Sequence, residues 1–95
     1  MVNKRTESIE LLNATHQFPC AFEFKVIGDA NEAFVESVLE TISSVTNEQG
    51  APHSTRTTPG GRHISVTVQS VVVEAESVLE IYDLLKKLEG VVMLL

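Results

Sequence analysis

Ninety-five residues with 43% hydrophobic side chains and a formal charge of −6 describe one soluble domain. The chain is too short for a second core, too apolar for disorder, and too acidic overall to attract nucleic acid through its bulk field. The single cysteine, Cys20, excludes an internal disulfide and a one-chain thiolate metal cage. No stretch approaches the ~20 apolar residues of a membrane span, and none of signal-peptide length follows Lys4-Arg5, so a cytoplasmic protein with no membrane association is expected.

Residues 1–17 read as an appendage to a domain at 18–95. Within it, Thr6 to Leu12 has the makings of about two helical turns, with Ile9 and Leu12 on one side. Next comes the stretch around which the chain is organised, Phe18-Pro19-Cys20-Ala21-Phe22-Glu23-Phe24-Lys25-Val26-Ile27-Gly28. Phe22, Phe24 and Val26 alternate with Glu23 and Lys25, which predicts a half-buried antiparallel strand. Pro19 marks its start, and Gly28 is expected to free the chain for a sharp exit. Cys20 falls in line with Phe22 and Phe24 and reads as a small core residue.

Asp29 and Glu32 have capping-box spacing, so a helix is expected with Asp29 as N-cap. Phe34, Val35, Val38, Leu39, Ile42 and Val45 form its apolar stripe, and Glu32, Glu36 and Glu40 mark its wet side. A polar turn over 47–52 precedes a weak strand near His53 to Thr58, a Pro59-Gly60-Gly61 turn, and a stronger strand in which Ile64, Val66 and Val68 alternate with Ser65, Thr67 and Gln69. Val78, Ile81, Tyr82, Leu85 and Leu88 then repeat at helical spacing, with Lys86 and Lys87 in the last turn and Gly90 at C′. Val91 to Leu95 reads as a final strand with Val91, Met93 and Leu95 facing the core.

The order βαββαβ predicts an α+β, ferredoxin-like domain: a four-stranded antiparallel sheet with two helices on one face, first and third strands central. Pro52 and Pro59 guard the second strand as an edge. The last strand, uncharged and proline-free, has no such guard and is expected to be covered by the segment from Thr6 to His16 or paired in a homodimer through Val91–Leu95.

No acidic residue occurs from Gln49 to Val73, and within that span lie Arg56, Thr57, Thr58, Gly60, Gly61, Arg62 and His63. Two guanidinium groups beside a Gly-Gly turn suit an unidentified small anionic ligand; the bland alternative is a solvated hairpin whose charges keep the protein soluble. The uncovered sheet face should present Glu23, Lys25, Ser65, Thr67 and Gln69. Its strands point their aromatic residues the other way, which disfavours base stacking and RNA readout there. His16, His53 and His63 lack metal-ligand spacing, so no metal or cofactor is expected, and no catalytic triad or paired-carboxylate site is discernible. A non-enzymatic protein follows. An acyl-phosphate-type hydrolase is disfavoured because the Gly28-Asp29-Ala30-Asn31 connection lacks an arginine.

The strand from Phe18 to Gly28, Ser65-Val66-Thr67 after the glycine turn, Ile81-Tyr82-x-x-Leu85, and Val91-x-Met93-x-Leu95 resemble signatures of the YbeD-like family of small bacterial proteins. The likeness covers nearly all of the chain from Phe18. His63 matches a position usually Tyr or His in the family, whereas Pro59-Gly60-Gly61-Arg62 replaces a turn that often has Ser and one Gly. The resemblance implies a ferredoxin-like fold similar to ACT regulatory domains and a family often labelled lipoic-acid-binding and regulatory. It favours a small regulatory or adaptor domain binding an acidic ligand or a partner protein, with a pure interaction module as the alternative.

Overall fold

The structure, a computed structural model, describes residues 3–95; the first two residues of the appendage lie outside them. Its elements are α1 (Lys4–Thr15), β1 (Cys20–Asp29), α2 (Glu32–Thr46), β2 (His53–Thr57), β3 (His63–Val72), α3 (Ala75–Leu85) and β4 (Val91–Leu94). The four strands form one antiparallel sheet in the order β2-β3-β1-β4, with α2 and α3 packed together against one face. The expected α+β, ferredoxin-like arrangement is the observed one.

Alternation in β1 sets the faces. Phe24 and Val26 are fully buried, and Phe22 is partly buried against them. Opposed residues of an antiparallel pair share a face, so Phe24↔Val68 and Val26↔Val66 build the core floor. Phe34, Val38 and Ile42 from α2 and Val78, Ile81 and Leu85 from α3 close it from above. Ser70 is the buried polar residue of this layer; its hydroxyl donates to Glu48 Oε1 at 2.9 Å, which ties the α2–β2 connection to β3.

Several local expectations are corrected. Asn31, not Asp29, caps α2: β1 runs on through Asp29, whose N–H donates to Gly90 C=O, and Asn31 Oδ1 accepts from Phe34 N–H at 2.8 Å. Gly28 is a strand residue, and its value lies in close approach to Phe34 rather than in a turn. Helix α3 stops at Leu85, with Lys86 as C-cap, so Gly90 is not C′; with φ +90° it reverses the chain into β4. Pro19 precedes β1, joined to Phe18 by a cis peptide bond.

The faces of β4 also differ from the simple alternation. The register passes from Gly28↔Val91 to Ile27↔Met93, with Val92 as the extra residue of a bulge. Beyond the bulge the period inverts, so Val91 and Leu94 pack on the core while Met93 and Leu95 do not. The bulge is itself an edge guard of the kind the sequence did not disclose. The N-terminal helix is longer than expected and lies against α3, not along β4; Arg5 Nη1 meets Asp83 Oδ2 at 3.0 Å, and Leu12 packs on the core. No helix among the described residues is long and apolar enough to cross a membrane.

Candidate functional site on the open sheet face

The β2–β3 turn is organised by its own backbone. Thr58 N–H donates to His63 C=O, Gly61 N–H donates to Thr58 C=O, and His63 N–H reaches Thr58 Oγ1. The amides of Thr58, Gly61 and His63 are thus engaged within the turn. Arg62 C=O accepts from Ala30 N–H, which holds the turn beside the β1–α2 connection.

The ladder separates the cationic island and reassembles part of it elsewhere. Arg56↔Ser65 and Ser54↔Thr67 place Arg56 on the open face, while Thr57↔Ile64 puts Thr57 on the helix-covered side. Across β3 the same rows continue as Ser65↔Ile27 and Thr67↔Lys25. Arg56 and Lys25 therefore flank the hydroxyls of Ser54, Ser65 and Thr67. Their backbones stand two strand spacings apart across the sheet and two residues apart along it, roughly 12 Å in all, a span over which two long flexible side chains can converge on one anion.

Two acids limit this patch. Glu23 lies opposite Gln69, and Asp29 lies opposite His63, so His63 has a carboxylate rather than an arginine as its cross-strand neighbour. Beyond Ile27 and Lys25 the rows end at Met93 and Leu95, whose N–H donates to Lys25 C=O at 2.9 Å. Met93 and Leu95 are 52% and 56% exposed, enough to provide an apolar strip directly beside the cationic one.

Sequence reasoning found Arg56, Lys25, Ser65 and Thr67 but assigned them to two separate sites; only the register unites them. It missed Met93 and Leu95 on this face because the bulge is invisible to period-two counting. It also missed a concavity on the other side of the sheet. There β2 overhangs α2, leaving clefts of about 540 and 270 Å³ that share Leu39 and His53 in their linings.

Residues 13–95 match the model of a family described as "Protein of unknown function (DUF493)". The chain belongs to this family. Among related DUF493 chains, a UPF0250 protein of Shewanella putrefaciens is 35% identical over 74 residues, spanning 78% of this chain and 83% of the relative. A UPF0250 protein of Shewanella amazonensis is 32% identical over 85 residues, spanning 85% and 96%. The solution structure of protein HP0495 from H. pylori shares the fold of this DUF493 chain, with a TM-score of 0.63 at 21% identity over 84% of this chain and 85% of that one.

Proposed function

We propose that the protein is a small regulatory or adaptor domain, not an enzyme, that binds an acidic ligand on its open sheet face. The observation that carries this reading is the register that sets Arg56 and Lys25 around Ser65 and Thr67, beside Ile27, Met93 and Leu95. A carboxylate or phosphate takes the charged hydrogen bonds, and an attached aliphatic chain covers the strip. Lipoate has this chemistry, a carboxylate on an apolar tail, and the family resemblance is the reason to try it first. A cytoplasmic setting is part of the same reading.

Thermal-shift titration with lipoate, amino acids and nucleotides tests it, since a ligand at 100 times its Kd adds about 2.7 kcal/mol to stability. The shift should vanish in Arg56→Ala/Lys25→Ala and fall with salt. A ligand whose affinity survives that double change at low salt would overturn the site. The second reading, a module that only assembles with other chains, is favoured by the exposed Val92, Met93 and Leu95 at one edge.

A further inference from the structure

The edge strand β2 and the cleft beneath it belong together. In an antiparallel pair, residues alternate between those whose N–H and C=O both face the partner and those whose groups face away. Gln69 N–H donates to Pro52 C=O and Thr58 N–H donates to His63 C=O, which fixes the phase: residues 52, 54, 56 and 58 point their backbone groups at β3. His53, Thr55 and Thr57 therefore present theirs along the free edge. These same three residues line the larger cleft with their side chains. All five residues of β2 are exposed, and the prolines at 52 and 59 limit this open stretch without closing it.

The opposite wall is α2. Val35 and Leu39 give the larger cleft an apolar floor with Ile64, Glu32 and Glu36 stand along its rim, and Glu40 follows on the smaller cleft that adjoins it at Leu39 and His53. Thr57 lies at the Asn31 end and His53 at the Gln49 end, so helix and strand run alongside one another in opposite directions. Carboxylates four residues apart on a helix rise by roughly 6 Å per step. Alternate side chains of a strand advance by roughly 6.6 Å. The two repeats stay in step over three positions. Among the described residues the one ion pair is Arg5–Asp83, so the three glutamates have no cation within salt-bridge reach.

We propose that the free edge of β2 and the α2–β2 cleft dock an extended basic segment of a partner polypeptide, added as a fifth strand. Main-chain hydrogen bonds to His53, Thr55 and Thr57 would hold it in register. Every second side chain of the segment enters the cleft, where the aliphatic stem of a lysine or arginine covers Val35 and Leu39 while its charge reaches a rim glutamate. A second copy of β2 does not fit this demand, because in a β2–β2 pair the residues turned to the cleft are again histidine and threonines, whereas Arg56 faces the open side.

The probe is a blocked seven-residue peptide alternating threonine and lysine, titrated into the isotopically labelled full chain at low salt and followed by amide resonances. A control peptide has the same composition with its lysines contiguous. Perturbations should concentrate at residues 53–57 and along α2, with slowed exchange of the Thr55 and Thr57 amides. Thr55→Pro, which removes an edge donor that β3 does not use, should abolish binding. Glu32→Gln/Glu36→Gln/Glu40→Gln should weaken it about tenfold or more. Should Thr55→Pro disturb the fold, the glutamine variant alone gives the reading, since those side chains are solvent-facing. Equal affinity for both peptides, perturbations centred on another surface, or undiminished binding by the glutamine variant would each overturn the proposal, as would slowed exchange of the Thr55 and Thr57 amides in the peptide-free chain, which would show this edge already occupied by a second copy.

Discussion

The tip of the Phe34 ring fills the space that a Cβ on Gly28 would need: a carbon added there would fall against Cζ, Cε1 and Cε2 at distances no real contact allows. Gly28 pairs with Ile64 on β3 and Val91 on β4, so the sheet cannot easily retreat, and Phe34 is nearly fully buried. Gly28→Ala should therefore cost about 1–3 kcal/mol by overpacking. Urea melts of Gly28→Ala and Gly28→Ala/Phe34→Leu test this. The double variant should recover part of the loss, and a Gly28→Ala chain as stable as the parent would show that the helix shifts freely.

Phe24 and Phe22 share a face but not a burial. Phe24 is 0% exposed, with its ring 5.5 Å from Tyr82 and 5.0 Å from Phe22, whereas Phe22 lies at the margin beneath His16, 5.1 Å away. Phe24→Ala should cost about 3–5 kcal/mol and Phe22→Ala distinctly less, because water and the α1–β1 linker can relax around it. Equal losses in denaturant melts would mean that the core extends farther towards the N-terminus than the structure shows.

The start of α2 offers a comparison between two candidate caps only two residues apart. Asn31→Ala should cost about 1 kcal/mol, the usual value of a lost N-cap, since it removes the acceptor of Phe34 N–H. Asp29→Asn should change stability far less, because the backbone of Asp29 belongs to β1 and its side chain does not cap the helix. The reverse order of losses would restore Asp29 as cap.

Burial raises the Tyr82 phenol above its ordinary 10.0. The unfolded chain then loses its phenolic proton first as pH rises, so the stability attached to the neutral phenol is present below pH 10.0 and declines above it. Ultraviolet titration of the phenolate should show ionisation later in the folded protein than in urea. Tyr82→Phe should flatten the alkaline fall in stability relative to the parent; an unchanged slope would assign that fall to other groups.

What was legible in the sequence was whatever local chemistry repeats. The β1 alternation, the α2 stripe and the βαββαβ order all follow from apolar residues at fixed steps, and each reappears in the structure. Boundaries failed where one tertiary contact outweighed a local signal: Asp29 has capping-box spacing with Glu32, but the backbone hydrogen bond to Gly90 holds it in the strand. The candidate site was only partly legible for a related reason. Arg56 and Lys25 lie far apart in sequence, and nothing local to either says that the β2–β3–β1 register will set them on one face. Nor does anything in Val91-Val92-Met93-Leu94-Leu95 reveal the bulge, which arises from pairing with β1.

That bulge bears on assembly. Among the described residues helix α1 lies against α3 rather than along β4, so of the two expectations for this edge, cover by the N-terminal segment or pairing with a second copy, the first is not met, and Val92, Met93 and Leu95 are more than half exposed. Side chains of this size in a row favour burial, and pairing with a second copy would remove them from water. The bulge opposes a long regular ladder by turning one residue out of register. Association through β4 should therefore rest on side-chain contact more than on added strand hydrogen bonds. Met93→Glu should then disperse it without unfolding the monomer, since Met93 is not part of the core. Light scattering of the full chain and of Met93→Glu, over a range of concentrations, reads the outcome directly. A dimer that gives way to a monomer in the variant supports assembly through this edge. A monomer in both, equally stable and free of aggregation, would show that the bulge alone suffices as guard.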